Sequence, residues 1–132
     1  MRLVCWNVNG LRTLRSYAPW DGLPTLEACL EALQADIACF QEVKMTHRQL
    51  TYAMCVMEAY DAYYDLHPTK GYAGTATYVR RAACMPRDAQ AGVTGLGQDL
   101  DAEGRCVVLD CGLFVLFNVY APNAVSYTHL RA

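Results

Sequence analysis

Three pairs of polar side chains stand where apolar, strand-like runs stop. Asn7 and Asn9 follow Leu3-Val4-Cys5-Trp6, Glu42 and Lys44 follow Ile37-Ala38-Cys39-Phe40-Gln41, and Tyr120 and Asn123 close the run that begins at Leu113. Strand ends in an open sheet converge on one rim, and such rims are where ligands bind. An ionised carboxylate with amide neighbours suits Mg²⁺ or Mn²⁺, which prefer oxygen donors and keep several waters. Taken singly, Glu42 reads more simply as a solvated acid at a strand end; the combination of strand ends is what carries weight.

Those positions depend on the elements that deliver them. Arg2 to Trp6 is a short β-forming segment ended by Asn7-Val8-Asn9-Gly10, residues that tolerate the left-handed backbone of a tight turn. Pro24 followed by Leu26, Cys29, Leu30 and Leu33, at spacings of three and four, predicts a helix over about 24–34. The continuous apolar run from Ile37 predicts a strand covered on both faces, which makes the first third a βαβ-like unit. A second helix is expected over Thr46 to Met57, capped by Thr46, with Leu50, Met54 and Met57 on one face. Tyr60 to His67 and Thr75 to Val79 form an antiparallel pair around the turn Lys70-Gly71-Tyr72-Ala73-Gly74. Arg81 to Gly104, with Pro86 and four glycines, reads as a long surface excursion. The strands Arg105 to Cys111 and Leu113 to Tyr120 turn at Gly112. The class is α/β (α+β), with helices outside sheets. The two final strands are apolar and no later helix covers them, so the fold is expected to be incomplete.

Composition narrows the function classes. The chain has 132 residues, of which 54% are hydrophobic and 18% charged, enough for one core and no second domain. The longest apolar stretch, Cys111 to Phe117, falls far short of the roughly 18 residues of a membrane span, and the start lacks a secretory pattern, so an intracellular protein with no membrane partner is expected. Seven cysteines, an odd number with no Cys-x-x-Cys pair, read as small buried hydrophobes rather than disulfides or zinc ligands. The net charge of −2 excludes bulk attraction to nucleic acid, so any DNA contact must be local.

Five blocks occur in order: Trp6-Asn7-Val8-Asn9-Gly10-Leu11-Arg12; Ala35-Asp36-Ile37-Ala38-Cys39-Phe40-Gln41-Glu42-Val43-Lys44; Gly71-Tyr72-Ala73-Gly74; Asp101-Ala102-Glu103-Gly104-Arg105; and Asn118-Val119-Tyr120-Ala121-Pro122-Asn123. Together they resemble the exonuclease III family of class II apurinic/apyrimidinic endonucleases. The loop containing Ala91-Gly92-Val93-Thr94-Gly95-Leu96 is closer to its eukaryotic type-2 branch. The resemblance implies the N-terminal half of the four-layer α/β sandwich of the endonuclease/exonuclease/phosphatase superfamily, over residues 1–123. It also implies Mg²⁺- or Mn²⁺-dependent hydrolysis of DNA at abasic sites, with 3′ exonuclease or 3′ end-cleaning action in base excision repair, and a nuclear location.

Residue by residue, the resemblance makes Glu42 the metal-binding carboxylate and Asn7 an amide shared between metal and phosphate. Asn9, at a position that is Asp in some members, tunes that shell by hydrogen bonding; Lys44 orients Glu42 or approaches the phosphate. Tyr120 faces the scissile phosphate and Asn123 adds a donor to it. Arg12 takes a DNA-facing role; Tyr72 either touches the DNA backbone or packs beside its turn. Arg15, Arg80 and Arg105 are read as surface arginines, and His47, His67 and His129 as surface or structural.

The family's later Gly-Asp-x-Asn and Ser-Asp-His blocks, which carry its proposed general base and catalytic His, do not occur here. Residues 124–132, containing Ser126-Tyr127-Thr128-His129-Leu130-Arg131-Ala132, do not continue the family pattern and resemble translated adapter read-through. The chain by itself is therefore expected to be inactive. Two other readings stay open: a phosphoinositide or sphingomyelin phosphoesterase of the same superfamily, and a non-catalytic truncated binding domain.

Overall fold

The computed structural model describes residues 1–95 and 97–121. Its first sheet has the order β1-β2-β4-β3, formed by β1 (Leu3–Asn7), β2 (Ile37–Gln41), β3 (Tyr60–Asp65) and β4 (Thr75–Arg80). Helix α1 (Leu26–Ala32) carries the crossover that lets β1 and β2 run parallel, with Asn7 beside Gln41. The expected helix over about 24–34 thus forms over its central turns. Thr25 caps it, its Oγ1 accepting from Ala28 N at 3.1 Å, and Pro24 sits just outside.

Period-two alternation in the central strands sorts their side chains between two cores. Ala38 and Phe40 of β2, with Ala76 and Tyr78 of β4, pack with Leu26, Cys29 and Leu30 of α1. Ile37, Cys39 and Val79 face the other way, onto Val107 and Leu109 of the second sheet. All five β2 residues are buried, as a strand covered on both faces requires. The second sheet is β5 (Asp88–Ala91), β6 (Cys106–Asp110) and β7 (Val115–Val119), antiparallel and in that order. The described residues therefore make three layers, helix, sheet and sheet. Beyond the second sheet Val115, Phe117 and Val119 remain 54%, 59% and 45% exposed, an apolar face with no cover among the described residues.

Two sequence expectations need correction. The helix over Thr46 to Met57 is instead a 3₁₀ turn, His47–Gln49, and a single α turn, α2 (Tyr52–Cys55), with extended backbone at Leu50 and Thr51 between them. The apolar spacing is met without a continuous helix, because Leu50 and Met54 reach the first core from separate turns and Met57 is buried in it. The excursion Arg81 to Gly104 contains β5 and a short helix, α3 (Gln98–Asp101). Every β5 residue is exposed, so this strand exists through its ladder to β6 and leaves no hydrophobic alternation to read.

Polar clasps hold the sheets together. The Asn118 amide on β7, only 2% exposed, donates to Ala76 O at 2.9 Å and Thr77 Oγ1 at 3.0 Å, and accepts from Gln41 Nε2 at 2.8 Å. At the end of β3, Asp65 Oδ2 accepts from Gly92 N and Cys106 N, both at 3.1 Å. Gly104 lies against the same corner with φ +80°; a Cβ there would meet the Asp65 carbonyl oxygen at 2.7 Å.

Truncating Asn118 to Ala removes partners from buried polar groups, so chemical denaturation should show a loss of about 2–3 kcal/mol; a change under 0.5 kcal/mol would mean the clasp is not structural. Burial raises the Asp65 carboxyl above its ordinary range, outweighing the backbone N–H groups of Cys106, Gly92 and Arg105 that oppose it. Since the folded value exceeds the unfolded one, stability linked to this group is complete below the ordinary aspartate value and is lost as pH rises through the raised one. Carboxyl-carbon NMR should place the Asp65 midpoint above about 3.9; a midpoint at or below it contradicts the desolvation account.

Candidate active site

The parallel β1–β2 ladder runs past the strands into the loops, with Val8 N to Gln41 O at 3.0 Å, Gly10 N to Glu42 O at 2.7 Å and Leu11 N to Val43 O at 3.0 Å. These bonds fix the Asn7–Gly10 turn against the Glu42–Lys44 segment. Glu42 and Lys44 both have left-handed backbones, φ +53° and +55°, around a fully buried Val43. For side chains with a Cβ this conformation costs roughly 1–2 kcal/mol per residue. Val43 N and Lys44 N are held by Gly74 O at 3.0 Å and Ala73 O at 2.9 Å, which offsets the strain with ordered hydrogen bonds.

The result is that two donors meet on one oxygen of Glu42. Asn7 Nδ2 donates to Oε1 at 3.0 Å, and Tyr120 Oη, arriving from the end of β7, donates to the same atom at 3.0 Å. Lys44 Nζ stands 3.6 Å from Oε2 and donates to Asn9 Oδ1. Asn9 N in turn donates to Asn7 Oδ1 at 3.1 Å. The Asn7 hydrogen bond is the strongest influence on the Glu42 carboxyl; joined by Tyr120 and the Lys44 ammonium, it outweighs partial burial and holds the pKa below the usual range. The carboxylate is ionised at neutral pH. Burial, and then the carboxylate it serves, push the Tyr120 phenol upward, so Tyr120 is a protonated donor there.

Arg105 completes the support and corrects the sequence reading of a surface arginine. It is 6% exposed, lies 4.9 Å from the Tyr120 ring centre and 5.7 Å from that of Tyr72, and is paired with Glu103 at 2.8 Å. Its carbonyl also accepts Tyr120 N at 2.8 Å. The available signal was its position directly before the apolar run Cys106-Val107-Val108-Leu109. Arg80 also departs from the reading of a surface arginine: it is half-buried, paired with Glu31 at 2.9 Å and donating to Tyr60 Oη at 2.6 Å and Ala35 O at 3.2 Å.

Arg12 is exposed and donates to Lys44 O at 3.2 Å. With Asn9, Thr13, Lys44 and Gly71 it lines a groove of about 390 Å³. Tyr72, 40% exposed, rests its ring against His67 at 5.0 Å, and His67 Nδ1 accepts from Thr69 N and Lys70 N, a turn-forming role. The structure thus brings together Asn7, Asn9, Glu42, Lys44 and Tyr120, sets Arg12 on the groove beside them, and joins Tyr72 to the site through Arg105. Asn123 lies outside the described residues. Sequence reasoning did not single out Gln41 or Asn118, although an Asn inside the apolar run Val115-Leu116-Phe117-Asn118-Val119 is the anomaly that marks it.

The chain is 31% identical over 153 residues to DNA-(apurinic or apyrimidinic site) endonuclease 2 of Schizosaccharomyces pombe, covering 92% of this chain and 29% of that protein. It is 32% identical to an exodeoxyribonuclease of Bacillus subtilis, covering 94% of this chain and 44% of that one. Its fold superposes on the Xenopus laevis APE2 catalytic domain with a TM-score of 0.74 at 30% identity, over 99% of this chain and 48% of that domain. The chain therefore spans less than half of each of these relatives, and its mixed α/β fold corresponds to the N-terminal part of the catalytic domain. Residues 4–132 match the Endonuclease/Exonuclease/phosphatase family, and the chain belongs to it.

Proposed function

We propose that this chain is the N-terminal half of a nuclear, divalent-metal-dependent DNA phosphodiesterase that incises at abasic sites and trims blocked 3′ ends in base excision repair. We propose further that the 132 residues alone do not turn over. The observation that carries the reading is the ionised Glu42 carboxylate, held through one oxygen by Asn7 and Tyr120. The names of the S. pombe and B. subtilis relatives supply the DNA substrate class.

The donor set fits Mg²⁺. Glu42 is a hard, ionised oxygen donor; its Oε1 already accepts two hydrogen bonds, while Oε2 faces only the Lys44 ammonium at 3.6 Å among the described contacts. Asn7 Oδ1 keeps a lone pair beside the one used by Asn9 N. A single carboxylate and an amide leave the remaining positions to water and substrate phosphate, the arrangement Mg²⁺ favours. Such a cation, when bound, neutralises charge on the phosphoryl oxygens.

The chain's own residues do the rest of the positioning. Tyr120 presents a protonated hydroxyl, held over Arg105, whose one proton goes to Glu42 Oε1; turned from that oxygen, the same proton would stabilise charge on the phosphate. Asn9 holds Lys44 close to Glu42, and Lys44 and Arg12 put positive charge along the groove. Tyr72 and Asn123 contribute further contacts to the DNA backbone and scissile phosphate. The general base and the His that the family resemblance implies belong to blocks this sequence does not contain, which supports the inactivity of these residues alone.

In the full-length protein that carries this segment, Glu42→Gln should cut turnover by at least ~10²-fold; unchanged turnover at low Mg²⁺ would sink the ligand assignment. On the chain itself, Mn²⁺ should broaden the Asn7 side-chain amide resonances in the wild type and leave them sharp in Glu42→Gln. Incubated with Mg²⁺ and an abasic duplex, the purified chain should show no incision above background, and robust cleavage would overturn the inactivity.

A further inference from the structure

Two thiols meet away from the site, where the two sheets join. Cys84 lies on the turn that follows β4, its N bonded to Arg80 O at 3.1 Å, and Cys111 directly follows β6. Their side chains pack against the same inter-sheet core. Cys84 Sγ donates to the backbone carbonyl of Cys111 itself, at 3.9 Å. Both residues are partly exposed and both are free thiols. The segments that carry them are already aligned: Arg87 N donates to Asp110 O at 2.7 Å, Arg87 pairs with the Asp110 carboxylate at 3.1 Å, and β5 enters the ladder at Asp88 opposite Asp110. With one sulfur already on its partner residue's carbonyl and both side chains on one core, side-chain rotation is the movement that brings the two sulfurs together.

We propose that Cys84 and Cys111 form a reversible disulfide, a redox-sensitive staple between the end of the first sheet and the hairpin of the second. The oxidant is a low-molecular-weight disulfide such as oxidised glutathione. The Cys84 thiolate attacks one of its sulfurs and expels a glutathione thiolate; Cys111, losing its proton to water, then attacks the Cys84 sulfur of the mixed disulfide and expels the second. The two protein thiols give up two electrons and two protons, and two molecules of reduced glutathione result. Burial, with the Cys84 thiol beside it, pushes the Cys111 thiol up to about 11, which makes Cys111 the poorer first nucleophile.

The other cysteines are worse placed. Cys29 and Cys106 are buried, and Cys55 is exposed. Cys5 and Cys39 face one another across β1 and β2, but Cys39 is 4% exposed and burial pushes its thiol up to about 12. The staple would close a span of 27 residues and tie together the sheets that carry Glu42 and Tyr120, so oxidation should raise the melting temperature.

The test is to equilibrate the 132-residue chain with oxidised glutathione, alkylate the remaining thiols and map linkages by peptide mass spectrometry. The expected result is one internal Cys84–Cys111 linkage, a higher melting temperature, reversal by dithiothreitol, and loss of the linkage in Cys84→Ser and Cys111→Ser. Circular dichroism of those variants checks that they fold, and Cys5→Ser should keep the linkage. In urea its selectivity should disappear. A linkage between other cysteines, a stable glutathione adduct without closure, or full retention of free thiols would each overturn the proposal.

Discussion

One carboxylate oxygen, Glu42 Oε1, receives a hydrogen bond from each of the two sheets. Asn7 reaches it along the parallel β1–β2 pair, whereas Tyr120 comes from the end of β7, so the constellation exists only while the second sheet is docked on the first. Docking has an apolar part, Ile37, Cys39 and Val79 against Val107 and Leu109, and a directional part, the buried Asn118 amide with its partners on β2 and β4. Apolar contact alone tolerates sliding. A satisfied buried amide does not, because a shift leaves polar groups unpaired. Asn118 and Tyr120 are two residues apart and share the inward face, so a one-residue slip of β7 would turn both away together.

The same corner stores conformational strain. Left-handed backbones at Glu42 and Lys44, and at Ala73 opposite them, would be unfavourable in an isolated peptide. They persist because Val43 is buried between them and because the loop amides are held by Gly74 and Ala73 carbonyls. The geometry aims two successive polar side chains, Glu42 and Lys44, at the same rim, which a regular strand also does at i and i+2 but without the abrupt change of chain direction.

Electrostatics are local here. The net charge of −2 gives no general attraction for a polyanion, yet Arg12, Lys44 and Arg105 all lie on or beneath the rim around Glu42. Arg105 is neutralised by Glu103 and covered by two tyrosine rings, so its contribution is mainly to fix Tyr120; Arg12 and Lys44 are the cations that face the groove.

The parallel pair β1–β2 with its crossover helix, the β3–β4 pair and the final hairpin were all legible from the apolar pattern, because each buries a face with the period of its own element. So were the polar strand ends that make up the candidate site. The broken helix after Thr46 and the edge strand β5 were not, since short turns can satisfy helical spacing and an exposed strand is held only by backbone bonds to a distant partner. Residue types and their order determined which side chains could do the chemistry. Tertiary structure decided that Tyr120 donates to Glu42, that Arg105 is buried beneath it and that Asn118 locks the sheets, because each is a contact between segments that meet only when the two cores are packed.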